Sequence, residues 1–452
     1  MEPASDFTLD NGLHFIVAEN HAAPAAAFGM FVRAGVCDEP GDRRGIAHFL
    51  EHMMFRGSER FGPKEHTARI TRLGGDCNAG TSIDPTIYYE TFPSHALDEV
   101  LALEADRFMR LKLTPEHVDV ERKVVLEELR MYENQPMARA FRQLMREIGR
   151  GHPYGLDPLG RQEDLEATTV DDLAAFHRRL YRPGNVFAVV SGDVRRDEVE
   201  VLAGKHFGGW RDPEPAGGGQ WAVGGGPAAE ALPPTANRPL PTDVPRFEVQ
   251  PGRKRLKLSL EVPVVARVHR LRPSAEEDHP ALDLLVALLA DGESSPVQER
   301  LVKRTHLCVH AGGECLKLIH GGVLVFFGAF LPPGRHAARL AALREICDRV
   351  ATEGPPREEF ARRIKRFRMK LSRANYSVME RMMGLGNSEL VEGGYRKYEA
   401  ALEDFAAVTP GRVQAAARRV FAPENTLELE VVPERARWYM PLAGLAMKLV
   451  GR

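Results

Sequence analysis

The feature that most restricts the fold of this chain is a pattern that occurs twice, once near the end of each half. The segment TTVDDLAAFHRRLYRPGN, from residue 168, aligns without gaps with VTPGRVQAAARRVFAPEN, from residue 408. Thr169 aligns with Thr409 and Asn185 with Asn425, and each segment precedes a strand pattern, NVFAVV or TLELEVV. A helix, a proline turn and a strand repeated in this way indicate that one domain was duplicated.

A Gly- and Pro-rich stretch separates the two halves. Residues 212–245 include PEPAGGGQWAVGGGPAAEALPPTANRPLPTDVP and show no hydrophobic periodicity, which is typical of an interdomain linker. The alternative is a long surface loop within one domain, but each flank is long enough to fold alone. Because 452 residues exceed one compact core, we predict homologous domains at 1–211 and 246–452.

Strand and helix patterns come in blocks within each half. Asn11-Gly12, between FTLD and LHFIVAEN, predicts a β-hairpin. AAAFGMFVRAG and NVFAVVSGDV predict further strands, and GIAHFLEHMMF predicts a helix. Helical periodicity also covers the regions 94–109 and 115–150. Blocks of this kind, without strict alternation of strand and helix, are typical of the α+β class.

Composition and charge exclude several function classes. The net charge is −2, which gives no electrostatic reason to expect nucleic acid or an anionic membrane as a partner. The first residues lack the basic segment and apolar run of a secretory signal, and no apolar stretch reaches the roughly 20 residues of a membrane helix. The five cysteines are an odd number and form no CxxC pair, which fits a reducing compartment. We therefore expect a cytoplasmic protein.

One short segment, HFLEH, has the residue types of a metal site. His48 and His52 are four residues apart, so a helix places both imidazoles on one face, which Glu51 shares. A zinc hydrolase requires three protein ligands, an open position for water and a nearby carboxylate. Glu51 is placed to take a proton from that water and pass it to the leaving amine. With 16 histidines in the chain, a helix that carries two surface histidines is the alternative. A structural zinc site usually has four ligands, often cysteines, and none lies near this segment.

The later helix pattern ERKVVLEELRMYE offers carboxylates for a third ligand. Glu121 and Glu128 are seven residues apart, which places them two turns apart on one face, beside an apolar stripe of valine and leucine. A carboxylate that borders a buried stripe is costly unless it is paired or bound to a metal. The alternative is a solvated face with local ion pairs, which suits Glu127 and Arg130.

With HFLEH and the LEEL helix, the chain resembles the inverted-motif (HxxEH) zinc peptidases of the pitrilysin, insulinase and mitochondrial processing peptidase family. The resemblance covers about residues 8–210, through GGDCNAGTSIDPTIYYETFP and HPYGLDPLGRQEDLEATTV, and extends more weakly into the second half through SSPVQERLV. It implies that His48, His52 and Glu128 hold one zinc ion per chain. It also implies that Glu51 is the general base and that Glu121 is a further catalytic residue, two helical turns before the ligand.

The same resemblance implies an architecture, an activity and a substrate class. Each half would form a mostly antiparallel sheet with helices on one face, and the two domains would enclose a chamber. The expected activity is that of a zinc metalloendopeptidase acting on peptides or unfolded segments. Asn78 and Ala79, on the family's active-site edge strand, would pair with the substrate backbone. The alternative for these two residues is an ordinary strand with the asparagine in a turn.

The second half departs from the family pattern. Aligning HPALDLLVALLADG with GIAHFLEHMMFRG places Asp283 and Ala287 at the positions of the two motif histidines, so the second copy has no metal site. A substrate-binding Arg and Tyr, which active relatives often carry, fall on Val302 and Val309 in LVKRTHLCV. We therefore predict the catalytic subunit of a heterodimer, whose zinc-free homologous partner supplies that pair. The alternative is a non-catalytic core or chaperone-like homologue that retains a zinc site.

Overall fold

Each half of the chain contributes its own β-sheet, and helices cover each sheet. The computed structural model describes residues 2–212, 244–258, 260, 262–331 and 336–433. Two units are compact by their internal contacts: unit 1 comprises 1–131, 152–244 and 372–399, and unit 2 comprises 132–151, 245–371 and 400–452. The linker predicted at 212–245 falls almost entirely outside the described residues.

The described part of the chain alternates between blocks of strands and blocks of helices. The strands are β1 Ser5–Thr8, β2 His14–Glu19, β3 Ala25–Val32, β4 Asp76–Thr81, β5 Thr86–Pro93, β6 Val186–Gly192, β7 Gly252–Leu258, β8 Val264–Leu271, β9 His310–Leu316, β10 Gly322–Ala329 and β11 Thr426–Pro433. The helices are α1 Ile46–Met53, α2 Glu65–Arg72, α3 Leu97–Met109, α4 Pro115–Glu133, α5 Pro136–Ile148, α6 Gln162–Ala167, α7 Val170–Leu180, α8 Arg196–Phe207, α9 His279–Ala290, α10 Pro296–Gln298, α11 His336–Glu353, α12 Arg357–Tyr376, α13 Val378–Asn387, α14 Arg396–Ala407 and α15 Pro410–Val420. Among these helices none combines the length and the apolar character that crossing a bilayer requires.

The sheet of unit 1 has the strand order β1-β2-β6-β3-β5-β4. β2 and β6 run parallel and the other neighbours run antiparallel, so the sheet is mostly antiparallel, as predicted. The predicted hairpin joins β1 to β2 with Thr8 opposite His14. Gly12 in its turn has φ of 89°, a left-handed conformation that favours glycine. β4 is the last strand of this sheet, and it lies against α1.

Helices α1, α3, α4, α7 and α8 pack on one face of this sheet. Phe28, Met30 and Val32 alternate along β3 and share a buried core with Leu50 of α1 and Val125 of α4. Burial of such side chains from water is the main favourable contribution to folding. The common core therefore fixes α1 and α4 in the same unit, and these are the helices that carry the predicted metal ligands.

The opposite face of the same sheet is covered by α13, a helix from the second half of the chain. Met382 and Leu385 pack against Phe31 and Phe187, whose rings point away from the first core. The packing is close, since a Cβ added at Gly386 would lie 2.0 Å from the Phe31 ring. Cover on both faces explains why β3 and β6 read as continuous apolar runs. The sequence predicted helices on one face and did not predict this additional one.

The sheet of unit 2 has the order β7-β11-β8-β10-β9. β7 and β11 run parallel, and the other neighbours run antiparallel. Leu285 of α9, Leu343 of α11 and Val413 of α15 share a buried core with Phe326 of β10. The α+β class and the two-sheet organisation predicted from the sequence are therefore confirmed.

The repeated segment folds in the same way in both copies. Thr169 and Thr409 cap the N-termini of α7 and α15, and each hydroxyl accepts a hydrogen bond from a backbone N–H three residues later. The amides of Asn185 and Asn425 donate to backbone carbonyls near the ends of those helices, at 2.9 and 2.8 Å. Both following strands, β6 and β11, lie between one parallel and one antiparallel neighbour. These matched details support duplication of one domain.

Two short segments belong to the compact unit that is formed mainly by the other half of the chain. Residues 132–151, with α5, belong to unit 2, and residues 372–399, with α13, belong to unit 1. In each half this segment begins within the last residues of the long helix, α4 or α12. The prediction that 1–211 and 246–452 are separate domains implies that each folds independently, and it stays a prediction.

Candidate metal centre

Helix α1 carries HFLEH into the core of unit 1. Its apolar residues are buried, and the buried carboxyl group of Glu39 fixes its N-terminus. The oxygens of Glu39 accept hydrogen bonds from the backbone N–H groups of Gly45 and Ala47, at 3.0 and 3.1 Å. These N–H groups have no partner within the helix, so the side chain supplies one. Burial raises the pKa of Glu39 to about 8, although both hydrogen bonds act in the opposite direction.

Side chains from α1 and α4 converge on one point. His52 Nε2 lies 3.2 Å from His48 Nε2 and 3.2 Å from Glu128 Oε2. His48 Nε2 lies 3.7 Å from the same oxygen. The structure thus brings together the two histidines of the motif and the glutamate that the sequence proposed as the third ligand, with one donor atom each within 4.8 Å of the others.

The donor atoms have the chemistry and the spacing of a zinc site. Zinc bonds of about 2.0–2.1 Å in tetrahedral geometry place neighbouring ligand atoms about 3.3–3.4 Å apart, close to the separations of 3.2, 3.2 and 3.7 Å. Direct hydrogen bonds alone do not explain the cluster, because 3.7 Å exceeds a hydrogen-bond distance. The hydrogen bond to His52 lowers the pKa of Glu128, which favours the ionised, ligating form. The residues therefore fit a divalent metal.

Glu121 lies behind His52, on the side away from the convergence point. Its Oε1 accepts from His52 Nδ1 at 2.8 Å, and its other oxygen accepts from Arg56 Nε. A histidine that donates through Nδ1 presents the lone pair of Nε2 to a metal. Burial raises the pKa of Glu121, but the hydrogen bonds from His52 and Arg56 outweigh it and lower that pKa. The carboxylate therefore stays charged and fixes the orientation of the ring.

The two histidines differ in their protonation. Burial and the neighbouring His52 lower the pKa of His48 to about 4. Burial also lowers the pKa of His52, but its hydrogen bonds to Glu121 and Glu128 outweigh this and raise the pKa to about 9. A metal ion and a proton compete for Nε2, and the competition is strongest at His52.

Glu51 lies beside this centre with one oxygen held by β4. Its Oε2 accepts a hydrogen bond from Thr81 Oγ1 at 2.6 Å. Burial raises the pKa of Glu51, although the hydrogen bonds from Thr81 lower it. A carboxylate with a raised pKa is a stronger base near neutral pH. The sequence singled out Glu51 but not Thr81, whose only signal was its inward position on a strand that alternates between exposed and half-buried residues.

Asn78 and Ala79 lie on the same strand, at the end of the sheet. Asn78 is exposed, whereas Ala79 is half-buried and packs against the core of unit 1. Asn78 Oδ1 accepts from the backbone N–H of Ala79 at 2.8 Å. Within the described ranges β4 pairs with β5 alone, so its outer edge faces no other described strand. This is the position that pairing with an extended peptide requires.

The corresponding positions in the second half hold no such centre. Asp283 forms an ion pair with Lys317 at 2.6 Å, and Ala287 is buried. Val302 and Val309, the positions that the family resemblance assigns to a substrate-binding Arg and Tyr, carry hydrocarbon side chains. Among the described residues, the groups that could hold a metal both lie in unit 1.

The second group comprises His66, Glu90 and Glu104, and a guanidinium already occupies it. Arg107 lies 3.0 Å from Glu90 Oε1 and 2.6 Å from Glu104 Oε1, and His66 Nε2 lies 2.6 Å from the latter atom. Although burial raises it, Arg107 and His66 lower the pKa of Glu104 to about 2. Because the oxygens that would bind a cation already face Arg107, this group is a buried ion-pair network.

Comparison with known proteins identifies the family. The family model for insulinase (peptidase family M16) matches residues 14–160, and the model for the peptidase M16 inactive domain matches residues 167–367. Together the two matches cover most of the chain, with the metal-centre residues in the first. This confirms the resemblance that HFLEH and the LEEL helix indicated.

Relatives that match 72–91% of the chain agree with these matches. An uncharacterized zinc protease of Mycobacterium leprae is 27% identical over 417 residues, 91% of this chain and 88% of that protein. The zinc protease PqqE of Helicobacter pylori is 28% identical over 330 residues, 72% of this chain and 69% of that protein. The crystal structure of a protease from Helicobacter pylori has the same fold, with a TM-score of 0.84 and 23% identity over 96% of this chain and 100% of that chain. The relatives from Mycobacterium leprae and Helicobacter pylori are both named as zinc proteases. The chain belongs to peptidase family M16, the insulinase family.

Proposed function

We propose that this protein is a zinc-dependent endopeptidase that hydrolyses peptides or unfolded segments. The observation that carries the proposal is the convergence of His48 Nε2, His52 Nε2 and Glu128 Oε2 beside a second carboxylate, Glu51. Three protein ligands with an adjacent base are the arrangement of a catalytic site, whereas structural zinc sites close with four ligands. One zinc ion per chain is expected, since the equivalent positions of the second half lack ligands.

Each residue of the centre has a definite task in this proposal. Zinc bound by the three ligands would polarise the scissile carbonyl as a Lewis acid. Glu51 takes a proton from the attacking water and delivers it to the nitrogen of the leaving amine as the C–N bond breaks. Glu121 holds His52 in the ligating tautomer. The outer edge of β4, at Asn78 and Ala79, would bind the substrate in an extended conformation.

The test separates metal binding from chemistry. We expect the zinc-loaded protein to cleave quenched fluorescent peptides, to lose activity with a chelator and to regain it with zinc. Glu51→Gln should keep the zinc and lower kcat by about 100-fold or more, since a general base contributes at least that factor. Glu127→Gln, at an exposed glutamate on α4, is the matched control and should leave both unchanged. Cleavage by Glu51→Gln at the wild-type rate would show that the base is assigned wrongly.

We further propose that full activity requires a second, zinc-free homologous subunit. The support is the family resemblance, which places Val302 and Val309 at the positions of a substrate-binding Arg and Tyr. The chain should be assayed alone and after mixing with such a homologue from the same genome. A rise in kcat/KM on mixing is expected, and full activity of the chain as a homodimer would contradict the need for a partner subunit.

The cytoplasmic location also stays a prediction, which fractionation of the cells would test.

The runner-up is a non-catalytic homologue that keeps its zinc. The presence of Glu51, held by Thr81 beside the three ligands, favours the peptidase. The two proposals differ in the same assay: the runner-up binds one zinc ion and cleaves no peptide under any combination of subunits.

A further inference from the structure

We propose that Thr81 is a positioning residue that sets the orientation of the Glu51 carboxylate and couples it to strand β4. The inference rests on the proposed function, because Glu51 is the base of that reaction. It adds a residue that touches neither the ligands nor, by our account, the reacting atoms.

The side-chain hydroxyl of Thr81 holds the Glu51 carboxylate. The hydroxyl Oγ1 donates to Glu51 Oε2 at 2.6 Å. A glutamate has three side-chain torsions, and ordering such a chain costs conformational entropy. A short hydrogen bond from a residue of the sheet favours one conformation of this side chain before any substrate binds.

The hydrogen bond from Thr81 also makes the two oxygens of the Glu51 carboxylate different from each other. Oε2 accepts a hydrogen bond from the Thr81 hydroxyl. Among the described residues, no side chain donates a hydrogen bond to Oε1. A carboxylate oxygen without a donor is the one able to take a proton. Thr81 therefore presents Oε1 as the basic atom.

The position of Thr81 in the sheet gives this contact a second consequence. Along β4, Cys77, Ala79 and Thr81 are the half-buried residues, and the residues between them are exposed. Thr81 pairs with Thr86 of β5, whose hydroxyl donates to the carbonyl of Ala34 at 3.0 Å and so anchors that end of the strand pair. The residue that orients the base thus lies on the strand whose outer edge is available to an extended peptide. A substrate that pairs with β4 binds to the same rigid element that aims Glu51.

The first test uses two substitutions that differ in the hydroxyl. Thr81→Val keeps the β-branched shape and the backbone N–H but removes the donor, and Thr81→Ser keeps the donor. In the assay of the preceding section, we expect Thr81→Val to lower kcat by about 10-fold or more, with KM within twofold and zinc content unchanged. Thr81→Ser should restore kcat to within about threefold. Thr91→Val, on β5, is the control for a valine in place of a strand threonine.

A second measurement does not depend on cleavage. Crystal structures of the zinc-loaded wild type and both variants should show Glu51 in one conformation in the wild type and Thr81→Ser, and reoriented or in several conformers in Thr81→Val. An unchanged Glu51 together with an unchanged kcat in Thr81→Val would overturn the inference. An equal loss in both variants, or a rise in KM alone, would assign Thr81 a role in strand structure and would also overturn it. If no form of the protein cleaved peptides, the proposed function would fail. The conformation of Glu51 in the crystal structures would still show whether Thr81 orients it.

Discussion

At the scale of single residues, the centre depends on carboxylates whose neighbours fix their charge. Glu121 is buried but stays ionised because His52 and Arg56 donate to it. Glu128 is ionised through its hydrogen bond to His52. Glu51 has a raised pKa because burial outweighs the donors from Thr81. The surroundings of these three glutamates of one unit therefore suit them to the three different tasks proposed for them.

Removing the charge behind His52 should weaken metal binding without removing a ligand. Glu121→Gln keeps the shape of the side chain, but it weakens the orientation of the imidazole and its basicity. We expect zinc affinity to fall by about 10–100-fold, measured by competition with a chromophoric chelator. Glu133→Gln, at the far end of α4, is the control, and equal affinity in Glu121→Gln and wild type would contradict the contact.

Neighbouring glutamates on α4 allow a sharper comparison. Glu128→Gln removes a charged ligand and should abolish stoichiometric zinc binding, as measured by metal content after dialysis. Glu127→Gln should retain one zinc ion, because Glu127 is exposed and bonds to Arg130. Loss of zinc in both variants would point to a general effect on α4, and retention in both would remove Glu128 from the ligand set.

The buried Glu39 predicts a specific dependence of stability on pH. Its pKa is raised by burial from an ordinary 4.5 to about 8, so the folded protein keeps a proton that the unfolded chain releases. The free energy of unfolding should therefore fall as the pH rises from about 4.5 to about 8. In Glu39→Gln this component is absent, so urea denaturation should show a weaker decline over the same interval. Parallel curves for the two proteins would show that Glu39 is ionised in the fold.

Helical spacing indicated that His48, Glu51 and His52 share one face, whereas Glu128 was chosen as the third ligand because the family resemblance implied it. His48, Glu51 and His52 lie within two turns, and Glu121 lies two turns before Glu128. Thr81 and Arg56 could not be predicted in the same way, because their contacts with Glu51 and Glu121 depend on how β4 and α4 pack against α1. Contacts of that kind come from tertiary structure and leave no periodic trace.

At the scale of secondary-structure elements, hydrophobic patterning predicted most strands and helices but not where each helix packs. The helical pattern at 115–150 is two helices, α4 and α5, with Pro136 at the start of the second. The position of α13 on the sheet of unit 1 was also not predicted. Its amphipathic pattern shows that it is buried on one side, but it does not specify which sheet buries it.

The close packing of α13 predicts an unusual response to a glycine substitution. Alanine normally stabilises a helix interior relative to glycine, by up to about 1 kcal/mol. A Cβ at Gly386 would instead lie 2.0 Å from the Phe31 ring, so Gly386→Ala should destabilise the protein by about 1–3 kcal/mol. Gly204→Ala in α8 is the control, since its Cβ would meet nothing within 4 Å, and it should stabilise. A gain in thermal stability for both variants would show that α13 does not pack at this distance.

At the scale of the whole molecule, duplication of one domain explains the two similar sheets, and within the described ranges the candidate metal centre lies with the first of them. The repeated helix–proline–strand segment keeps its caps in both copies, whereas the positions of the motif histidines became Asp283 and Ala287 in the second. Structural residues are retained where both copies need them, and chemical residues remain where one copy suffices. The sequence did not predict that 132–151 belongs to unit 2 and 372–399 to unit 1. Local sequence patterns predict helices and strands, but they do not specify the unit in which each one packs.

The claim on which this account depends is that one divalent ion is bound between α1 and α4. The most direct measurement is anomalous diffraction at the zinc absorption edge from crystals of the zinc-loaded protein. We predict one strong peak per chain, about 2.0–2.2 Å from the Nε2 atoms of His48 and His52 and from a carboxylate oxygen of Glu128. The absence of a peak there, or a single peak at His66, Glu90 and Glu104 instead, would contradict the account.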